Sequence, residues 1–202
     1  MPQDLTLEDQ LCLLLARGQL PARAGDRALE LLRAPLRWDL LLGRASLHEV
    51  TPLVYRNLAT LGFPGVPNSA RAELAAAFRT NAVRSMLFAE ELRCVLRILS
   101  EAGVPGIPLK GVALAESLYG DRALRVCSDM DILVPPGEVV RARRLILSQG
   151  YTSPFTEKLF AERLVRTSNE CCLLRKRHGL SYVLELHWKL LFTSSRNDEA
   201  VE

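Results

Sequence analysis

From Ala70 to Ala102 the chain contains neither glycine nor proline, and alanine, leucine, arginine and glutamate dominate. These are strong helix formers, so the run predicts one helix of roughly 50 Å at the standard rise per residue. Asn68 or Ser69 caps it, Gly103 ends it, and Leu74, Phe78, Val95, Leu96 and Leu99 supply its apolar contacts. Before it lies LGFPGVPNS, residues 61–69, whose glycines and prolines mark a loop and a first boundary. The segment upstream also reads as helical. Thr6-Leu7-Glu8-Asp9 resembles a capping box, and Leu11, Leu14 and Leu15 share one stripe behind it. A second helix is expected over Arg23 to Arg33, ended by Pro35, with shorter ones over Trp38 to Ala45 and Leu47 to Ala59. Residues 1–103 are thus expected to form a helical N-terminal region, with no obvious chemistry of its own.

At Val104 the pattern changes. VPGIPLK is short, apolar and broken by prolines, which suits an edge strand. Gly111 opens a helix through Leu118, and Tyr119-Gly120-Asp121 closes it. Asp129 to Val134 reads as a strand, Glu138 to Ser148 as a helix, and Asn169 to Arg175 and Leu180 to Trp188 as two strands of a hairpin turning at 176–179. Residues 104–202 are therefore expected to fold as an α/β core, a mixed sheet flanked by helices, and the whole chain is α+β.

Bulk composition narrows the functional classes. With 202 residues, the chain is one ordinary domain or a compact core with a helical extension; 49% hydrophobic and 24% charged residues exclude global disorder. The formal charge of +3 is too small to announce a nucleic-acid binder. The five cysteines are Cys12, Cys94, Cys127 and the adjacent Cys171 and Cys172. They suit reduced thiols of a cytoplasmic protein better than a disulfide framework. MPQDLTLEDQ has no basic leader, and the longest apolar run is too short for a bilayer, so a soluble protein without a membrane partner is expected.

The chemistry concentrates in the second half. Strand alternation puts Asp129 and Asp131 on one face, with α-carbons roughly 6.6 Å apart, while Met130, Ile132 and Val134 take the other. Two carboxylates so placed can converge on a divalent ion such as Mg²⁺ or Mn²⁺; the plainer reading is a pair of aspartates facing water. On the last strand Tyr182, Leu184, Leu186 and Trp188 share one face, and Val183, Glu185 and His187 the other. Glu185 is a costly residue in so apolar a strand unless it is paired or ligates metal. Lys110-Gly111 lies where a strand meets a helix N-terminus, a place where backbone N–H groups and a lysine suit phosphate. Arg125 could clamp a phosphate or simply pair with Asp121. Zinc on Cys171, Cys172, His178 and His187 fits no ordinary spacing. Arg141, Arg143 and Arg144, and Arg175 to Arg177, read first as solvated charged faces, and as phosphate contacts if the partner is RNA.

IPLKGVALAESLYGDRALRVCSDMDILVPP, followed by QGY and LELHW, resembles the bacterial family of uncharacterised nucleotidyltransferases within the polymerase-β-like superfamily. WDLLLGRASLHEVTPLVYRNL is similar to that family's helical N-terminal region, so the resemblance spans Trp38 to Trp188. It implies a nucleotidyltransferase-like sheet, Asp129 and Asp131 as paired metal ligands, and Glu185 as the third carboxylate. It also implies nucleotide contacts at Lys110 and Gly111, although the superfamily usually has Gly-Gly or Gly-Ser there; Arg125, a nucleotide contact on the phosphate-clamp reading above, falls at a recurrent position whose role the resemblance does not assign. His187 falls at a recurrent position of unassigned role. Family members commonly run well beyond 202 residues, so a C-terminally short core is expected. The implied activity is transfer of a nucleoside monophosphate from a nucleoside triphosphate to an acceptor hydroxyl, with pyrophosphate leaving, under Mg²⁺ or Mn²⁺. The acceptor is a small molecule, a peptide or RNA. A non-catalytic nucleotide-binding or regulatory module and a helical interaction protein are the rival readings.

Overall fold

At the chain's start the Thr6 hydroxyl oxygen accepts from the Asp9 N–H at 3.2 Å, and the Asp9 carboxylate reaches back to the Thr6 N–H at 3.3 Å. In the computed structural model, which describes residues 5–177 and 179–190, this capping box opens α1 (Leu7–Leu15). Next come α2 (Ala22–Leu31), α3 (Trp38–Leu47), α4 (Thr51–Thr60) and the anticipated long helix α5 (Asn68–Glu101). Residues three or four apart share a helix face, and the pairs Leu11/Leu15, Ala28/Leu31, Leu41/Ala45 and Val54/Leu58 meet in one core with Leu74. Polar groups close it: Asn57 Nδ2 donates to the carbonyls of Leu15 at 2.7 Å and Arg17 at 2.9 Å, at the end of α1.

The fold is α+β, with a four-stranded mixed sheet in the order β1-β2-β4-β3. Edge strand β1 shrinks to Ile107–Pro108, because Pro105 and Pro108 have no N–H to give to a ladder. It pairs antiparallel with β2 (Met130–Leu133). Strands β3 (Glu170–Arg177) and β4 (Leu180–His187) form the expected hairpin, and β2 runs parallel to β4. Helices α6 (Val112–Tyr119) and α7 (Val139–Ser148) lie where the sequence places them. The stretch 157–167 is a further helix, α8, wound as a π-helix over Phe160–Leu164.

The chain divides into two units that cut across the order of its elements. One holds residues up to Glu90 together with Lys110–Cys127; the other holds Glu91–Leu109 together with residues from Ser128 on. The first unit keeps 110–127 through side chains of α5: Asn81 donates to the carbonyls of Ala123 and Arg125 at 2.7 and 3.1 Å, and Arg84 to that of Cys127 at 3.1 Å.

In the second unit Met130, Ile132, Val134, Tyr182, Leu184, Leu186 and Trp188 are all buried, as strand alternation requires. Trp188 packs edge-on to Phe160, ring centroids 5.6 Å apart, and its indole N–H donates to the Val165 carbonyl at 3.1 Å. Arg141, Arg144, Lys176 and Arg177 lie exposed, as a solvated face requires, whereas Arg143 is buried and Arg175 half-buried. Arg143 is buried over the Phe160 ring and bonds the Phe155 carbonyl; Arg144 pairs with Glu157 at 2.6 Å; Arg141 donates to the Ala102 carbonyl at 2.6 Å. Arg175 reaches buried Glu91 at 2.8 Å, and the same carboxylate oxygen accepts from the Tyr151 hydroxyl at 2.8 Å. No helix among the described residues is long and apolar enough to cross a membrane.

Candidate metal centre

Parallel pairing of β2 with β4 sets Asp131 opposite Glu185 and Leu133 opposite His187. Strand alternation then turns Asp131, Glu185 and His187 to one face. His187 Nε2 lies 3.1 Å from Asp131 Oδ1 and 3.6 Å from Glu185 Oε2. One ligand atom from each of the three lies within 4.8 Å of the others. The Asp131 side chain is fully excluded from solvent, whereas that of Glu185 is 28% exposed. A buried carboxylate beside a second carboxylate is costly without compensating charge or hydrogen bonds. Two carboxylate oxygens and an imidazole nitrogen make a donor set that fits a divalent cation, carboxylates suiting Mg²⁺ and Mn²⁺ and the imidazole favouring the transition metal.

Antiparallel pairing on the other side of β4 adds two neighbours. Glu170 stands opposite His187 and Cys172 opposite Glu185. Glu170 Oε2 lies 3.0 Å from His187 Nδ1, so each imidazole nitrogen faces a carboxylate. Sequence reasoning placed a strand here but did not single out Glu170. Counting the hairpin register back from the turn pairs it with His187, and that is the signal that would have found it. Burial raises the Cys172 thiol, with Glu185 and Glu170 adding to the rise, and pushes Cys171, on the opposite face, up to about 12. Of the zinc set weighed above, His178 lies outside the described residues, and the two cysteines point apart.

Asp129 is half-buried and immediately precedes β2, whose register with β4 begins at Met130. It is not one of the tight trio. Lys110, Gly111 and Arg125 belong to the first unit. Lys110 is exposed; Gly111 caps α6 with φ +67° and ψ −135°, a conformation open to glycine and strained for other residues. Arg125 is half-buried and lines a hollow of about 220 Å³ with His48, Tyr119 and Leu124. Asp121, considered as its partner, accepts from the Ala123 N–H at 2.8 Å and so caps a turn. In the second unit, an apolar cavity of about 490 Å³ is lined by Ile107, Leu133, Pro135, Trp188 and Leu190, with Leu133 the ladder neighbour of His187.

A family model described as "Uncharacterised nucleotidyltransferase" matches residues 34–202. No curated protein and no solved structure matches the chain.

Proposed function

The chain belongs to the uncharacterised nucleotidyltransferase family, and on that premise we propose that it transfers a nucleoside monophosphate from a triphosphate to an acceptor hydroxyl. The observation that carries this reading is the convergence of Asp131, Glu185 and His187 from adjacent strands. Asp131, shut off from water, and His187 are the fixed ligands of the ion, and Glu185 is the ligand open to substrate. Asp129, at the mouth of β2, is the second aspartate ligand. When bound, Mg²⁺ or Mn²⁺ offsets triphosphate charge and the charge that develops during transfer. Lys110, the backbone at Gly111 and Arg125 are the proposed nucleotide contacts, on the strength of their place in the motif. In the reaction the acceptor oxygen bonds the α-phosphorus, the bond to the bridging oxygen breaks, and pyrophosphate leaves. The hydroxyl proton goes to Glu185, the partly exposed carboxylate. The apolar cavity beside Leu133 suits an acceptor with an apolar part, and cysteines not joined in disulfides agree with a cytoplasmic setting.

Calorimetric titration of ATP, GTP, CTP and UTP into the chain with Mg²⁺ tests this. Binding of one or more triphosphates is expected, lost in the Asp129→Asn/Asp131→Asn double variant and lost without the metal. Equal binding by the double variant would remove the reading.

A further inference from the structure

We propose that Glu170 is a positioning residue for this centre: it holds the His187 ring so that Nε2 faces Asp131 and Glu185. The inference rests on the metal reading above and extends it to a residue outside the D-x-D and E-L-H-W motifs.

The backbone on both sides of the imidazole is already fixed. The His187 carbonyl accepts from the Val134 N–H at 2.9 Å, and the Trp188 N–H donates to the Asn169 carbonyl at 2.9 Å. The Trp188 side chain is locked against Phe160 and the Val165 carbonyl. What stays free is the rotation of the His187 side chain and the choice of which ring nitrogen carries hydrogen. The 3.0 Å contact from Glu170 to Nδ1 settles the rotation and the role of Nδ1, because a carboxylate only accepts: Nδ1 carries a hydrogen toward Glu170, and Nε2 faces Asp131 and Glu185, where a bound cation would take the place of a hydrogen. The strand beneath Glu170 is pinned in turn, the Ser168 hydroxyl donating to the Glu170 carbonyl at 2.9 Å. Three neighbouring strands thus each supply one member of a line: Glu170 on β3, His187 on β4 and Asp131 on β2. A metal-ligating histidine generally donates its second ring N–H to such a partner, and losing that partner weakens metal binding by about 10–100-fold.

Glu170 also makes a clean test, since half its side chain is exposed and its removal leaves no buried cavity. The experiment compares wild type with Glu170→Ala, Glu170→Gln and Asp131→Asn. The first readout, on the metal-free chain, is the long-range ¹H–¹⁵N spectrum of the His187 ring, assigned by its loss in His187→Asn. The second is Mn²⁺ affinity by electron paramagnetic resonance. Wild type is expected to show hydrogen on Nδ1. Glu170→Ala should shift hydrogen from Nδ1 towards Nε2 and weaken Mn²⁺ by about 10–100-fold, and Glu170→Gln, which keeps an acceptor oxygen, should restore hydrogen on Nδ1 and most of the affinity. An unchanged ring spectrum in Glu170→Ala overturns the proposal, and so does an unchanged Mn²⁺ affinity where wild type binds Mn²⁺ and Asp131→Asn does not; in that case the metal reading survives. If wild type binds no Mn²⁺, the metal reading fails, and the metal-free ring spectrum still decides whether Glu170 sets the ring.

Discussion

Glu8 shows how far one buried carboxylate depends on its surroundings. Its side chain accepts from the Arg37 N–H at 2.9 Å, and this bond, ahead of the other contributions, holds its carboxyl below the usual range. A carboxyl acidified by folding contributes stability above its unfolded value, near about 4.3, and loses it as pH falls through the folded value. Glu8→Ala, which strands the Arg37 N–H, should therefore cost about 1–3 kcal/mol at neutral pH in chemical denaturation, with the gap to wild type shrinking below about pH 4. Asp131 is buried as deeply, yet its neighbours include a second carboxylate, an arrangement that suits ligation better than stability. Asp131→Asn should abolish metal-dependent nucleotide binding while leaving the far-ultraviolet circular dichroism unchanged.

Among the elements, α6 and the end of β4 carry the sharpest expectations. Gly111→Ala forces a methyl-bearing residue into φ +67°, so it should cost about 1–3 kcal/mol by denaturant titration; a neutral substitution would mean that the turn relaxes freely. Trp188→Ala removes the ring packed on Phe160 and should cost roughly 3–5 kcal/mol by the same measurement. Much at this scale was legible in the sequence. Alternation assigned the buried and polar faces of β2 and β4, and the absence of breakers gave α5 to within a few residues of its ends. Asp131, Glu185 and His187 were all candidates before any coordinates. What alternation cannot supply is register. Glu170 meets His187 only on counting the β3–β4 hairpin back from its turn, and which residue of β2 meets which of β4 depends on pairings between residues far apart in sequence. For the same reason Arg143 and Arg175, which read as surface charge, turn out to be held by Phe160 and Glu91.

Across the whole molecule, a break in pattern near residue 104 was visible, but the two units were not. Their interleaving rests on side chains such as Asn81 and Arg84 reaching carbonyls some forty residues away, and composition carries no trace of such bonds. The five cysteines offer a probe of how each unit opens, because their exposure differs. With a thiol reagent near pH 8, Cys172 should react first and the half-buried Cys94 next. Cys12, Cys127 and Cys171 should react only on unfolding, as their burial, and the raised thiols of Cys12 and Cys171, dictate. Early modification of Cys171 would show that the sheet opens locally. The central claim concerns the trio itself, and anomalous diffraction from crystals soaked with Mn²⁺ and a non-hydrolysable triphosphate tests it most directly. The account predicts a manganese peak bounded by Asp131, Glu185 and His187, with phosphate density beside it. Triphosphate bound elsewhere, with no manganese at the trio, would contradict it.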